Sequence, residues 1–237
     1  MQHPRIDPAE IFDRTGAVSQ PGLRHLWREI VSNLTYRPAA PARLGVADGR
    51  GHVVLIIPAF MTNDQVTWEL RKFLDQCGYR TFGWGLGLNW GPTPRLVRDV
   101  RRRFAELRDM ADDRISVIGL SLGGVLARDL AYDFPDDVRQ VITIASPFNL
   151  PTASVVEPMI RLTAMFYRPA IDIIRLATPL PVPSAAIFSR DDGVVAWESC
   201  RGCDPTCINV EVQSPHMSIC RNPEVLRLVA ARLGEAP

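Results

Sequence analysis

The chain has 237 residues, of which 46% are hydrophobic and 22% are charged, and these proportions are ordinary for a globular protein. Its formal net charge is +1, so neither nucleic acid nor an anionic membrane is expected as the main partner. The length allows one sizeable core with at most a small additional unit.

Neither the first residues nor the most apolar stretch is typical of an export signal or a membrane span. Residues 1–17 carry charges and have no apolar centre. Residues 171–186 are interrupted by two charged residues and three prolines, so no transmembrane segment is expected. The five cysteines, an odd number, favour reduced thiols, and we therefore expect a cytoplasmic protein.

Segments with strand and helix patterns alternate through most of the chain. Aliphatic, mostly β-branched runs predict buried strands, and segments with one apolar face predict helices. The predicted strands are 53–57, 79–84, 115–118, 141–145, 184–189 and 208–212, and the predicted helices are 65–77, 94–110, one beginning near Leu122, and 223–233. This order predicts an α/β fold with a mostly parallel central sheet flanked by helices, in which ligands bind at the carboxyl ends of the strands.

Two regions lie outside this alternation. Residues 1–50 hold a predicted helix at 23–34 and a Pro/Ala-rich linker at 37–43, and we expect this segment to pack on a main domain at 51–237. Residues 148–183 are apolar with a helical pattern. They fit either simple packing against the sheet or a short helical cap over a site.

The most informative motif is the sequence Gly-Leu-Ser-Leu-Gly at 119–123. In G-x-S-x-G the serine occupies a sharp strand-to-helix turn, which strains its backbone and exposes its hydroxyl. A Cβ at either glycine would crowd the turn. Because the motif lies between an aliphatic strand and a helical pattern, Ser121 is predicted to be a nucleophile rather than part of an ordinary turn.

A serine hydroxyl needs a base, most often a histidine oriented by a carboxylate. Of the four histidines, only His216 follows the motif, and it comes after the last predicted strand. The carboxylate is expected at the end of a strand between the two, where Asp191 and Asp192 are the candidates. We favour Asp192 because it directly precedes Gly193, whose conformational freedom would allow a tight turn that aims the carboxylate at the site.

The oxyanion of a tetrahedral intermediate needs hydrogen-bond donors. One is expected to be the backbone N–H of Leu122, where the helix dipole also helps. The second is expected in the loop at 58–61. Phe60, Met61 and Trp84 also suggest an apolar substrate pocket, although each aromatic residue taken singly fits the core at least as well.

In combination these motifs resemble the α/β-hydrolases of the lipase and esterase kind, which share the chain order Ser, Asp, His. They also resemble a bacterial subgroup of small hydrolases marked by a P-G-F-type loop, a G-W-G-L-G-x-N segment, the serine turn, S-R-x-D-G-V-V and a late S-x-H; the counterparts are 58–60, 83–89, 119–123, 189–195 and 214–216. The resemblance implies a catalytic triad of Ser121, Asp192 and His216, and it makes Phe60 the source of the second oxyanion N–H. Ala59 replaces a glycine of the family, and alanine would be strained if that position needs a positive φ.

The expected activity is hydrolysis of a medium-chain carboxylic ester, a small-molecule or lipid-like substrate, without metal or cofactor. A thioesterase or amide hydrolase would use the same triad, and a catalytically idle binding protein could share the fold. A haloalkane dehalogenase or epoxide hydrolase would carry aspartate in place of Ser121. The spacing of Cys200, Cys203 and Cys207 with His216 also fits a Cys₃His zinc site, but the role of base explains His216 better.

Overall fold

The computed structural model of the protein describes Glu29, residues 48–149, Ile171 and residues 173–235. The linker at 37–43, all but one residue of the helix predicted at 23–34 and most of the candidate cap at 148–183 lie outside these ranges. The division at residue 50 and the cap therefore stay predictions.

Strands and helices alternate along the described chain. The strands are β1 (Val53–Ile57), β2 (Arg80–Gly83), β3 (Ile115–Leu120), β4 (Val138–Ile144), β5 (Ser184–Phe188) and β6 (Cys207–Glu211). The helices are α1 (Trp68–Gln76), α2 (Pro94–Asp109), α3 (Leu122–Asp133), α4 (Ile173–Leu176) and α5 (Pro223–Gly234), with 3₁₀ turns at Trp197–Cys200 and His216–Arg221. Every predicted strand and helix in the described ranges is present. The short α4 lies within the segment 148–183, for which a helical pattern was predicted, and the two 3₁₀ turns were not predicted.

The described strands form one parallel sheet in the order β2-β1-β3-β4-β5-β6. From β1 the chain first adds β2 on one side and then crosses to add β3 on the other. The loops that follow β1 and β3 therefore separate at the carboxyl edge of the sheet, and this reversal opens a crevice there.

The sheet is buried on both faces, and alternate strand residues supply the two cores. In β1, Leu55 and Ile57 pack with the apolar faces of α2 and α3, whereas Val54 and Ile56 pack with those of α1 and α5. All five β1 residues are buried. This two-sided burial explains why β1 has a continuous aliphatic sequence rather than an alternating one.

Local side chains set the helix boundaries. Thr93 caps α2 by accepting the N–H of Leu96 at 3.0 Å, and Pro94 occupies the first turn. Helix α1 begins three residues later than predicted because residues 64–67 form turns, in which Thr67 Oγ1 donates to the carbonyl oxygen of Asp64. Within the described ranges, no helix has the length and apolarity that crossing a membrane requires.

Candidate active site

Ser121 lies in the turn between β3 and α3, with φ 51° and ψ −121°. A positive φ is uncommon for a residue with a side chain and costs energy that the surroundings must offset. The N–H of Ser121 donates to the carbonyl oxygen of Ile144 at 2.8 Å, which ties the turn to the end of β4. The backbone strain predicted for the serine is therefore present.

The glycines on either side of Ser121 let three backbone segments meet. A Cβ on Gly119 would overlap the carbonyl oxygen of Gly123, and one on Gly123 would overlap that of Ile57 at the end of β1. A Cβ on Gly124 would overlap the hydroxyl of Ser146. A Cβ at these positions would therefore crowd the turn, as predicted. Its absence lets the serine turn pack closely against the end of β1 and the start of the loop that follows it.

Asp192 and His216 are brought together from the loops after β5 and β6. His216 Nδ1 lies 2.7 Å from Asp192 Oδ2, and both residues are buried. Because the carboxylate only accepts, this contact places the imidazole hydrogen on Nδ1 and leaves the lone pair on Nε2. Asp192 and His216 therefore have the contact that an orienting acid and a base require.

The structure places Asp192, and not Asp191, at the histidine, but the reason differs from the one expected. Gly193 is not among the residues with positive φ. Instead Asp192 Oδ1 accepts the N–H groups of Val194 and Val195, each at 2.8 Å, so the aspartate side chain itself shapes the turn.

The charge state of His216 depends on its acidic neighbours. Burial opposes the imidazolium, but the charge and hydrogen bond of Asp192, with a further contribution from the charge of Glu29, outweigh it and raise the pKa of His216 above its ordinary value. Hydrogen bonds among the described residues include none between Ser121 and His216. Bonds of this kind are often long in free enzymes and tighten only with substrate bound.

The candidate oxyanion donors lie at the crevice between β1 and β3. Leu122 is the first residue of α3, where an N–H has no acceptor within the helix. Phe60 lies in the loop after β1. The preceding residue, Ala59, does not have a positive φ, so the backbone strain that was considered for an alanine at this position is absent. The left-handed residue of this loop is Met61, with φ 55°.

Asn89, which is fully buried, holds the loop after β1 in place. Its side-chain amide donates to the carbonyl oxygen of Pro58 at 2.8 Å. Its own carbonyl oxygen accepts the N–H of Met61 at 2.7 Å, and its N–H donates to Thr62 at 2.9 Å. The asparagine of the G-W-G-L-G-x-N segment thus fixes both sides of Phe60, a role that the sequence motif alone did not reveal.

The two predicted substrate residues besides Phe60 lie in different surroundings. Met61 is 45% exposed in the loop after β1. Trp84 is 1% exposed, packs in the core with α2 and donates its indole N–H to Gly87. Its position favours the core interpretation that the sequence left open.

The cysteines have separate surroundings. All five lie in the described ranges, where none of them is joined in a disulfide, and Cys203 is exposed. Burial raises the pKa of Cys200 well above its ordinary value, which disfavours the thiolate that a metal needs. His216 is already engaged by Asp192, and within the described residues no group of three or more His, Cys, Asp or Glu side chains could hold a metal ion.

Sequence reasoning did not single out Glu29, which also lies at the site. It lies in the helix predicted at 23–34 and is 2% exposed, and its carboxylate contacts the loops of both Asp192 and His216. A glutamate in an amphipathic helix is ordinary, so only the tertiary contacts distinguish it.

The sequence matches no protein-family model and no curated protein sequence. Several solved structures are nevertheless similar. One of the metagenome-derived lipolytic enzymes LipS and LipT aligns with a TM-score of 0.58 at 17% identity, over 84% of this chain and 98% of the other. A lipase-esterase related protein from Clostridium acetobutylicum aligns with a TM-score of 0.57 at 15% identity, over 81% and 97%.

A third similar structure is the thioesterase domain from the curacin biosynthetic pathway, with a TM-score of 0.51 at 13% identity over 79% of this chain and 92% of the other. Identities this low concern the fold and not the substrate. Together with the parallel sheet and the serine turn after β3, they confirm the predicted architecture: the chain has the α/β-hydrolase fold.

Proposed function

We propose that the protein is a serine hydrolase that cleaves carboxylic esters with an apolar acyl chain, through Ser121, His216 and Asp192. The observation that carries this proposal is the bond of 2.7 Å between His216 Nδ1 and Asp192 Oδ2, formed at the same sheet edge as the strained turn of Ser121. The esterase and lipase activities of proteins with this fold add support.

In this mechanism Ser121 Oγ attacks the ester carbonyl carbon while His216 Nε2 takes the hydroxyl proton. The N–H groups of Leu122 and Phe60 stabilise the oxyanion that forms, and each such donor typically contributes about 3 kcal/mol. Collapse of the intermediate breaks the ester C–O bond, and His216 returns the proton to the leaving alcohol. A water molecule activated by His216 then attacks the acyl-enzyme, which releases the carboxylic acid and restores Ser121.

The side chains around the crevice favour an apolar substrate. Four large hydrophobic residues are exposed on loops that carry the proposed machinery or are bonded to it: Met61, Leu88, Trp90 and Met217. Met61 is joined to Asn89, which lies between Leu88 and Trp90, and Met217 follows His216. An acyl chain bound against such side chains would contribute about 0.8 kcal/mol for each buried methylene.

A thioester is the second candidate substrate, because a thioesterase domain has the same fold. A series of p-nitrophenyl esters and acyl thioesters of matched chain length separates the two. Higher kcat/KM for the esters supports the proposed esterase activity. Higher kcat/KM for the thioesters would mean that the protein is a thioesterase instead.

The nucleophile is tested with a fluorophosphonate probe and with turnover of p-nitrophenyl butyrate. Wild-type protein should label on Ser121, and Ser121→Ala should lose both labelling and turnover. Ser116→Ala is the matched control, because Ser116 Oγ lies 2.8 Å from a ring nitrogen of His52 and yet Ser116 is fully buried in β3. Labelling of Ser116, or turnover retained in Ser121→Ala, contradicts the mechanism.

A further inference from the structure

The carboxylate of Glu29 lies between the loops that carry Asp192 and His216. Its Oε1 accepts the N–H of Gly193 at 2.8 Å and that of His216 at 2.6 Å. Its Oε2 accepts the N–H of Met217 at 2.9 Å. One side chain from residues 1–50 thus binds backbone amides 164 and 187 residues away along the chain.

A buried carboxylate is unfavourable unless hydrogen bonds replace its hydration. Three backbone donors supply that replacement, and hydrogen bonds to a carboxylate are stronger than those between neutral groups. The carboxylate is therefore held in one position. Because a single oxygen accepts from Gly193 and His216, the separation of these two amides is set by the carboxylate.

The contacts close a ring around the acid and the base. Asp192 precedes Gly193, and the N–H of Gly193 donates to Glu29 Oε1. The same oxygen accepts the backbone N–H of His216, and the imidazole of His216 contacts Asp192, which closes the ring. Any shift of one loop against the other must break a bond in this ring. The Asp192–His216 bond thereby depends on a residue that touches neither side chain through its own hydrogen bonds.

We propose that Glu29 is a positioning residue for the triad, which fixes the loops of Asp192 and His216 relative to each other and whose charge stabilises the imidazolium formed during proton transfer. This inference rests on the proposed serine hydrolase activity. Among the described residues, Asp192 and Glu29 are the charged groups that act on the imidazole, and both raise the pKa of His216 against the effect of burial.

The test is Glu29→Gln, assayed with p-nitrophenyl butyrate across pH. Glutamine keeps the shape and one acceptor but turns an N–H₂ group towards the N–H of Met217 and removes the charge. We expect kcat to fall about tenfold or more, as small displacements of catalytic groups do, with little change in KM. We also expect the acidic limb of kcat/KM to move to lower pH, because the base becomes less basic.

Two control variants separate positioning from general stability. Ser189 Oγ accepts the N–H groups of Asp191 and Ser214, so it joins the same two loops without a charge. Ser189→Ala should lower kcat and leave the acidic limb in place. Asp75, which binds the backbone of Thr81 near the opposite edge of the sheet, is the remote carboxylate control, and Asp75→Asn should leave both quantities unchanged.

A measurement independent of turnover keeps this inference distinct from the proposed function. In the Ser121→Ala background, the pKa of His216 is followed by NMR of the imidazole, with and without Glu29→Gln. A lower pKa in the double variant supports the inference even if wild-type protein proves inactive on esters. Unchanged pKa, or wild-type kcat in folded Glu29→Gln protein, overturns it.

Glu29→Asp covers the case in which Glu29→Gln does not fold. Aspartate keeps the charge but is one methylene shorter, so it cannot keep all three amide bonds without movement. A lower kcat with the His216 pKa near the wild-type value supports the positioning role, and full wild-type kcat overturns it.

Discussion

Asn89 Nδ2 donates to the carbonyl oxygen of Pro58 at 2.8 Å, so the loop after β2 holds the loop after β1. The same asparagine binds Met61 and Thr62 through its backbone. Phe60 lies between these contacts. The position of Phe60, the proposed second oxyanion donor, is therefore set by a side chain 29 residues away from it in sequence.

Asn89→Ala should weaken catalysis more than it weakens substrate binding. Loss of the amide leaves the buried Pro58 oxygen without its donor and frees the loop, so we expect kcat to fall about 10²-fold and the free energy of unfolding to fall by about 1–3 kcal/mol. Steady-state kinetics and urea denaturation measure the two effects. Asn63→Ala is the control, since the side chain of Asn63 accepts the exposed N–H of Gln65, two residues further along the chain. A wild-type kcat in folded Asn89→Ala protein would contradict the prediction.

Two adjacent aspartates provide a matched test of the acid. Asp192→Asn should lower kcat by about 10³–10⁴-fold, because the neutral amide neither fixes the Nδ1–H tautomer nor stabilises the imidazolium. Asp191→Asn should leave kcat within about twofold, because the His216 contact is made by Asp192. Equal losses in the two variants would mean that the loop, and not the carboxylate, carries the effect.

The raised pKa of His216 predicts the pH dependence of activity. The base must be neutral, so kcat/KM should fall with decreasing pH, and the midpoint of this limb should lie above about 6.5. Because its pKa is raised in the folded state, His216 also contributes to the free energy of unfolding. This contribution is fully present below the pKa that His216 has in the unfolded chain, and it is lost as pH rises through the pKa in the folded state. Activity should thus disappear on the acid side while circular dichroism shows folded protein; unfolding that coincides with the activity limb would contradict this assignment.

His52 should have the opposite effect on stability. Burial, and then the charge of Arg139, lower the pKa of His52 to about 4, while Asp113 opposes this shift. Between that value and about 6.5 the unfolded chain binds a proton that the native protein does not, so stability falls as pH falls through this window.

His52→Gln removes that proton uptake. After discounting for its partial exposure, His52 should make the wild type lose about 1 kcal/mol more than the variant between pH 7 and pH 5. Urea denaturation of both proteins at the two pH values measures the difference. An identical loss in both would show that His52 titrates normally in the fold.

Local patterns in the sequence were enough for the strands and the helices of the described ranges and for selecting the proposed triad. A strand buried on both faces requires an aliphatic run such as β1, and the serine turn requires glycines where backbone segments meet. Both features can therefore be recognised in short stretches of sequence. Asp192 is the aspartate that contacts His216, although a positive φ at Gly193 is not the reason. The position after a strand sufficed, because parallel strands bring their carboxyl ends to one edge.

Tertiary structure alone decided which residues support that chemistry. Trp84 belongs to the core, the residue with positive φ in the loop after β1 is Met61 rather than Ala59, and Glu29 joins the loops that carry Asp192 and His216. Sequence spacing cannot show these facts, because burial and hydrogen-bond partners depend on segments far apart in the chain. The sequence by itself determined the fold and the order of Ser121, Asp192 and His216 along the chain. The folded chain determined the contacts that Glu29 and Asn89 make with the loops around these residues, because a backbone amide finds its acceptor only when the loops meet.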